Sequence, residues 1–96
     1  MENKKTALVT GAGIGIGRAT SIALGKAGYH VIVTDVLETD GRHTANEISE
    51  IGGSAEFAAL DVTSTVQCDA LVKDLNARFS SVDVLVNNAG IAHRVP

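Results

Sequence analysis

A glycine-rich stretch near the amino terminus, residues 10–19 (TGAGIGIGRA), limits the folds open to this chain. It follows a short apolar run and precedes a segment with helical spacing, which predicts a strand, a tight turn and the start of a helix. Glycine lets the main chain come close to a ligand. The first turn of the helix then directs free N–H groups and the positive end of the helix dipole to the same point. The stretch therefore predicts a cradle for a pyrophosphate.

The spacing of the glycines narrows the type of cradle. The fingerprint G-x-G-x-x-G needs a glycine at position 16 or 18, where this chain has Ile16 and Arg18. No Gly-Lys-Ser/Thr closes the turn, so a phosphate-binding P-loop is excluded. Glycines at 11, 13 and 15 also suit a methyltransferase that binds S-adenosylmethionine. A tight turn without a ligand is the remaining alternative.

The rest of the chain alternates between strand and helix patterns. Apolar runs at residues 7–9, 31–34, 55–60 and 84–86 predict four strands, and the segments between them have helical spacing. Alternation of this kind with short links is typical of a parallel sheet covered on both faces. We therefore expect one α/β domain over residues 1–96, a doubly wound Rossmann-like sheet with the strand order 3-2-1-4.

The helix patterns also predict which residues are buried and where the helices begin and end. The face expected to be buried in the first helix consists of Ile16, Ala19, Ala23, Leu24 and Ala27. The corresponding stripe of the third helix consists of Val66, Ala70, Leu71, Leu75 and Phe79. Thr39 and Thr44 are alternative N-caps for the second helix, and Ser64 with Gln67 forms a capping box for the third. Gly28 and Gly52 are expected to end the first two helices.

Polar residues follow the predicted strands. Asp35 lies 18 positions after Gly17, at the end of the second strand, where a carboxylate can accept both hydrogen bonds of an adenosine ribose diol and repel a 2′-phosphate. This favours NAD over NADP, although Arg18 argues against it. A solvated acid at a strand end is the alternative interpretation of Asp35. Asp61 ends the third strand and is equally consistent with an acid that complements a helix dipole.

Three motifs together resemble those of the short-chain dehydrogenase/reductase family. They are the T-G-x-x-x-G-x-G turn on Gly11, Gly15 and Gly17, the acid-plus-apolar pair Asp61-Val62, and the segment 87–90, which reads N-N-A-G. The resemblance implies an oxidoreductase that transfers a hydride between a nicotinamide and an alcohol or ketone. It also implies that an NADP-using member carries a basic residue at position 14 or 36, where this chain has Ile14 and Val36.

The resemblance assigns a role to each matching position. Asp61 is expected to accept from the adenine amino group and the Val62 N–H to meet a ring nitrogen, while Asn87 and Asn88 tie neighbouring strand ends together. Ala89 and Gly90 are expected to keep the main chain low beside the cofactor ribose. The predicted cofactor contacts are Gly11, Gly15, Ile16, Gly17, Asp35, Asp61, Val62, Asn88, Ala89 and Gly90.

The family's catalytic Y-x-x-x-K is absent from the sequence. The single tyrosine, Tyr29, is followed four places later by Val33 and lies between the first helix and the second strand. The resemblance therefore covers at most the first half of the family's domain, and the catalytic residues are expected beyond Pro96. We expect the 96-residue chain by itself to be inactive, marginally stable and prone to self-association. A non-catalytic dinucleotide-binding module is the alternative.

Composition restricts the partners. A net charge of −3 and a pI near 5.4 offer no basic face for nucleic acid or an anionic membrane surface. The first apolar run is too short for a signal peptide or a membrane span, so we expect a cytoplasmic protein. The one cysteine, Cys68, cannot form an intramolecular disulfide, and the three histidines have no ligand spacing for a metal. A small-molecule substrate and a homo-oligomeric parent protein are the expected partners.

Overall fold

The computed structural model describes residues 4–79 and 81–88, which form a single four-stranded sheet with three helices. The strands are β1 (Thr6–Thr10), β2 (His30–Asp35), β3 (Ser54–Ala59) and β4 (Val84–Asn87). The helices are α1 (Gly15–Lys26), α2 (Glu38–Glu50) and α3 (Thr65–Arg78). All strand pairs are parallel and their order is β3-β2-β1-β4, which confirms the predicted α/β architecture.

Two apolar clusters lie on opposite faces of the sheet. In the register of β1 and β2, Val9 pairs with Val33 and Leu8 pairs with Ile32, so alternate residues face opposite sides. One cluster joins the Val9 side to residues of α1 and α2, including Ile48. The other joins Leu8 and Ile32 to α3. Both central strands are therefore buried on both faces, as expected for a parallel sheet.

The buried face of α1 differs from the one that hydrophobic spacing predicts. Ile16 is 76% exposed, and the alanines at 19, 23 and 27 are exposed as well. The buried residues are Gly17, Ser21 and Gly25. A Cβ on Gly25 would lie 2.7 Å from Ile48 Cγ2, so the absence of a side chain is what allows α1 and α2 to pack closely. Of the predicted residues, Leu24 is half-buried and packs against the core cluster, but the fully buried positions of the helix are small residues with little hydrophobic character.

The predicted N-caps of α2 are wrong. The helix begins after Leu37, which makes no side-chain cap, and Thr39 and Thr44 both lie inside it. The Leu37 N–H instead donates to Asp35 Oδ1 at 2.9 Å, so a carboxylate at the end of β2 holds the start of the helix. Gly28 and Gly52 follow α1 and α2 with φ angles of +99° and +87°, in agreement with the predicted helix ends.

The start of α3 is largely as predicted. Ser64 Oγ accepts from the Gln67 N–H at 3.2 Å, but the Gln67 side chain accepts from the Asp61 N–H rather than returning to Ser64. The predicted stripe is correct at its far end, where Leu71, Leu75 and Phe79 pack against the sheet. It is wrong at its start, because Val66 is 79% exposed and Ala70 is exposed too.

Strand β4 pairs with β1 along one side, and within the described residues its other side pairs with no strand. Its side chains alternate between half-buried and exposed, and Leu85 is 64% exposed. None of the helices in the described ranges is both long and apolar enough to cross a membrane. The same ranges contain no cluster of three His, Cys, Asp or Glu residues that could hold a metal ion.

Candidate nucleotide-binding site

The carboxyl ends of the four parallel strands lie along one edge of the sheet, where the predicted site residues follow them. The glycine turn follows Thr10 of β1, and β2 ends on Asp35. The turn is bonded to the neighbouring strand, because the Ala12 N–H donates to the Thr34 carbonyl at 2.9 Å. In open parallel sheets this edge is where ligands bind.

The glycine turn has the backbone that a phosphate cradle needs. Gly11 and Gly15 have φ angles of +61° and +59°, in the region that side chains disfavour. At Gly17 the constraint is space, since a Cβ there would overlap the Gly11 carbonyl and lie 2.8 Å from Asn88 Nδ2. Gly11 and Gly15 are therefore glycines because of their backbone angles, and Gly17 is a glycine because there is no space for a side chain.

The start of α1 is open toward this turn. Its N-cap, Ile14, is extended and makes no side-chain cap, so the first N–H groups of the helix receive no side-chain partner. Within the described part of the chain, no residue beyond the neighbouring backbone lies within 4 Å of the position where Gly15 would carry a Cβ. An anion at this point would meet free N–H donors and the positive end of the helix dipole, so the residues fit a dinucleotide pyrophosphate.

The two asparagines at the end of β4, Asn87 and Asn88, tie the strand ends together, as predicted. Asn88 Nδ2 donates to the Gly11 carbonyl at 3.1 Å. Thr10 Oγ1 donates to Asn87 Oδ1 at 3.2 Å. These bonds connect the end of β4 to the glycine turn after β1. Ala89 and Gly90, also predicted contacts, lie outside the described residues.

Asp35, at the end of β2, connects the glycine turn to the start of α2. Its carboxylate is bonded on both oxygens: Oδ2 accepts from the Gly13 N–H at 2.8 Å and Oδ1 accepts from the Leu37 N–H at 2.9 Å. The residue is only 8% exposed. Each carboxylate oxygen can accept more than one hydrogen bond, so a ribose diol can still be bound. Asp35 is therefore more than the solvated strand-end acid that was the alternative.

Gly13 is the site residue that the sequence analysis did not include. A Cβ on Gly13 would lie 2.7 Å from Asp40 Cβ and 2.9 Å from Asp35 Oδ2, so only glycine lets α2 approach the turn here. The Gly13 carbonyl in turn accepts from Thr44 Oγ1 at 3.4 Å. In the sequence, Gly13 stands between Gly11 and Gly15, but it was considered only as part of the methyltransferase pattern and not as a residue of this site.

Asp61 and Val62 lie at the end of β3, next to Asp35. The Leu60 N–H donates to the Asp35 carbonyl at 3.2 Å, which brings the two strand ends together. Asp61 Oδ1 accepts from the Thr63 hydroxyl at 2.6 Å and from the Thr63 N–H at 2.9 Å. These bonds, the hydroxyl first, lower the pKa of Asp61. An ionised carboxylate is thus held at the position where an adenine amino group was expected.

Arg18, the residue that favoured NADP in the sequence, forms an ion pair with Glu47 of α2. Its Nε donates to Glu47 Oε1 at 2.8 Å, and its second nitrogen pairs with Glu47 Oε2. The hydrogen bond from Arg18 is the main cause that lowers the pKa of Glu47, and the reciprocal bond raises the pKa of Arg18. The guanidinium is therefore engaged with α2 as a two-point ion pair.

A cavity of about 530 Å³ lies at the opposite, amino-terminal edge of the sheet. Its lining includes Lys5, His30, Ser54 and Arg78, and none of the predicted cofactor contacts. His30 contacts Ser54 Oγ through Nδ1 and Glu56 Oε1 through Nε2. This polar group is separate from the glycine turn, because parallel strands run from the one edge to the other.

The fold and the site together define a Rossmann-like nucleotide-binding protein. A sequence profile of the family described as short chain dehydrogenase matches residues 5–96. This chain belongs to the short-chain dehydrogenase family. The S-adenosylmethionine methyltransferase alternative is left without support.

Relatives of known name agree with this assignment. The chain is 40% identical over 86 residues to a 7alpha-hydroxysteroid dehydrogenase of Escherichia coli K12, covering 90% of this chain and 34% of the relative. It is 39% identical over 94 residues to a galactitol 2-dehydrogenase of Agrobacterium fabrum, covering 98% of this chain and 36% of the relative. The chain thus spans about a third of the length of these relatives.

Solved structures share the fold. A metagenomic short-chain oxidoreductase, crystallised in complex with NADP, has a TM-score of 0.85 and 37% identity, over 88% of this chain and 38% of that one. A hydroxysteroid dehydrogenase from Escherichia coli has a TM-score of 0.81 and 37% identity, over 86% of this chain and 35% of that one.

Proposed function

We propose that this chain forms the dinucleotide-binding part of an NAD-dependent oxidoreductase that acts on an alcohol or a ketone. The pyrophosphate is held by the turn at Gly11, Gly15 and Gly17 and by the N–H of Ile16. The adenosine ribose is held by Asp35, the adenine by Asp61 and Val62, and the far ribose by Asn88, Ala89 and Gly90.

The observation that carries this proposal is the bonding of Asp35. One carboxylate connects the glycine turn, through Gly13, to the first turn of α2, through Leu37. A ribose seated at this carboxylate has its attached pyrophosphate within reach of the uncapped start of α1. The two halves of the expected adenosine diphosphate site therefore adjoin one another.

The preference for NAD over NADP rests on charge. Asp35 is a carboxylate at the ribose position, and a 2′-phosphate placed there would meet a like charge with little water between them. Ile14 and Val36, the positions for a compensating cation, are apolar, and Arg18 is paired with Glu47. One neighbour was solved with NADP, so the fold itself does not exclude that cofactor and the preference must come from local charge.

The reaction is inferred from the relatives. Bound nicotinamide would supply the hydride acceptor or donor, and the named relatives are dehydrogenases of hydroxylated compounds. No Y-x-x-x-K stands in this sequence, so its residues contribute binding and orientation rather than proton transfer. Cytoplasmic location and a homo-oligomeric state stay predictions. A non-catalytic binding module would show the same cofactor site with no turnover in any longer form of the protein.

The test is a pair of calorimetric titrations of the chain with NAD and with NADP. Wild type should bind NAD more tightly. Asp35→Arg should weaken NAD binding and reverse the preference. Asp35→Asn should reduce the preference for NAD, because it removes the charge at nearly constant size, and it also loses one of the two backbone hydrogen bonds, since an amide nitrogen cannot accept. Circular dichroism of each variant checks that the fold is retained. An unchanged ratio of the two dissociation constants in Asp35→Arg would remove the role assigned to this carboxylate.

The matched control is Asp69→Asn. Asp69 is an exposed acid on α3 that is not one of the predicted cofactor contacts, and its substitution changes the net charge by the same amount. It should leave both dissociation constants unchanged. A shift equal to that of Asp35→Asn would mean that the overall charge, rather than the position, sets the preference.

A further inference from the structure

The ion pair between Arg18 and Glu47 connects the first turn of α1, which follows the glycine turn, to α2. Arg18 is in the first turn of α1, and its N–H donates to the Ile14 carbonyl of the glycine turn at 3.3 Å. Glu47 is three residues beyond Thr44, the residue that contacts the Gly13 carbonyl. Side chains on a helix lean back toward its amino terminus, so both partners lean toward the glycine turn.

The pair is placed so that it can open. The Arg18 side chain is 42% exposed and that of Glu47 is 28% exposed, so water reaches both groups. A long arginine side chain can redirect its head group by rotation about its own bonds. The only partner of the guanidinium among the described residues is the Glu47 carboxylate.

From this placement we infer that Glu47 is a specificity-determining residue, which disfavours NADP by holding Arg18, beside the glycine turn, away from a 2′-phosphate. The inference rests on the proposed function, since it concerns the same ribose site. Selectivity then has two parts. Asp35 repels the 2′-phosphate directly, and Glu47 pairs with the Arg18 guanidinium, which could otherwise bind the phosphate.

The chemistry of the two competing partners explains why removal of Glu47 matters. Guanidinium binds carboxylate and phosphate with the same two-point geometry, so a 2′-phosphate and Glu47 compete for Arg18. In wild type the carboxylate is already in contact and belongs to the fold. Once it is neutral, the guanidinium has no charged partner within the pair and is available to the phosphate.

The experiment measures dissociation constants for NAD and NADP by calorimetry in four forms of the chain: wild type, Glu47→Gln, Arg18→Gln and the double variant. Glu47→Gln should tighten NADP by about three- to tenfold relative to NAD, the range for one charge-assisted contact to phosphate. Arg18→Gln alone should change the ratio little. The double variant should lose the gain, because the gain requires Arg18.

Three results would overturn the inference. The first is an unchanged ratio in Glu47→Gln, and the second is a gain that persists in the double variant, which would trace it to the lost negative charge alone. The third is an equal gain in Glu50→Gln, the matched control, because Glu50 is an exposed acid of the same helix. If Glu47→Gln does not fold, Glu47→Asp, which shortens the side chain and loosens the pair, should give a smaller gain of the same sign.

Failure of the inference is distinguishable from failure of the proposed function. If wild type binds neither dinucleotide, the proposed function is wrong, and the inference about Glu47 is wrong with it. If wild type binds NAD and responds to Asp35→Arg but not to Glu47→Gln, only the role of Glu47 is wrong.

Discussion

Asn88 Nδ2 donates a hydrogen bond of 3.1 Å to the Gly11 carbonyl, and the two residues are 77 positions apart in the sequence. The bond joins the end of β4, the edge strand, to the turn that follows β1. Gly11 lies in the turn between β1 and α1, outside both elements, and the Asn88 side chain supplies a donor to its carbonyl. Asn88 thus helps to fix the shape of the glycine turn.

Replacement of Asn88 should therefore loosen the glycine turn. We expect Asn88→Ala to lower the free energy of unfolding by about 1 kcal/mol, the net value of one such hydrogen bond, as measured by urea denaturation. Asn88→Asp should cost more, because a carboxylate cannot donate to the Gly11 carbonyl. The control is Asn76→Ala on the exposed side of α3. Equal losses in the two alanine variants would contradict the assigned role.

Gly17 tests the close approach of α1 to the turn. We expect Gly17→Ala to lower the free energy of unfolding by about 1–3 kcal/mol, since the added methyl group overlaps the Gly11 carbonyl and the backbone must move. Gly17→Val should cost more. Ala19→Val adds bulk to the exposed side of the same helix and should cost less than about 1 kcal/mol. A Gly17→Ala variant as stable as wild type would show that the turn has room for a side chain.

Glu56 should make the chain less stable in acid. Hydrogen bonds from Arg78, and secondarily from His30, lower the pKa of Glu56 from its usual value of 4.5. A carboxyl whose pKa is lower in the folded state contributes stability that is present above the unfolded pKa and lost as the pH falls through the folded one. Unfolding should therefore become easier below about pH 4.5.

Denaturation of Glu56→Gln across pH 3 to 7 measures this contribution. The variant should be less stable than wild type at pH 7 and should lose less stability on acidification. The matched control is Glu50→Gln, which removes an exposed acid from α2. It should leave the loss of stability between pH 7 and pH 3 the same as in wild type. Parallel pH profiles of wild type and Glu56→Gln would contradict the assignment.

Leu85 should promote association between copies of the 96-residue chain. The residue is 64% exposed on a strand whose outer side is unpaired within the described residues, and such edges recruit other strands. We expect Leu85→Lys to shift sedimentation toward the monomer at high protein concentration. Val72→Lys, at an exposed apolar position on α3, tests whether any added lysine has this effect. Equal shifts in both variants would remove the special role of the strand edge.

The sequence was sufficient for the order of elements and for most of the site because both depend on local spacing. Apolar runs followed by polar residues identified the four strands and the edge at which Asp35, Asp61 and Asn88 lie.

The packing of α1 could not be predicted from the same signal. Hydrophobic spacing assigns burial to large apolar side chains, and so it selected Ile16 and the neighbouring alanines. The actual contact face, Gly17, Ser21 and Gly25, is defined by the absence of side-chain volume. Only the distance between backbones in the folded chain shows that a Cβ on Gly25 would meet Ile48.

The start of α2 was missed for a related reason. Capping rules search for a polar residue just before the helix, whereas here the acceptor is Asp35 in the preceding strand, two residues before the N–H that it binds. The same carboxylate also accepts from Gly13, a contact across 22 positions that no local pattern contains. Asp35 therefore has a structural role in addition to the one that the sequence suggested.

The most direct test of the account is a titration of the ¹⁵N-labelled chain with NAD, followed by amide chemical-shift mapping. The account predicts that the largest shifts occur at Gly11, Gly15, Gly17 and Asp35, with smaller shifts at Val62. Amides around the opposite cavity, such as Lys5 and His30, should move little. Saturable shifts confined to that cavity, or none at the glycine turn at millimolar NAD, would contradict the proposal that the dinucleotide binds at the carboxyl ends of the strands.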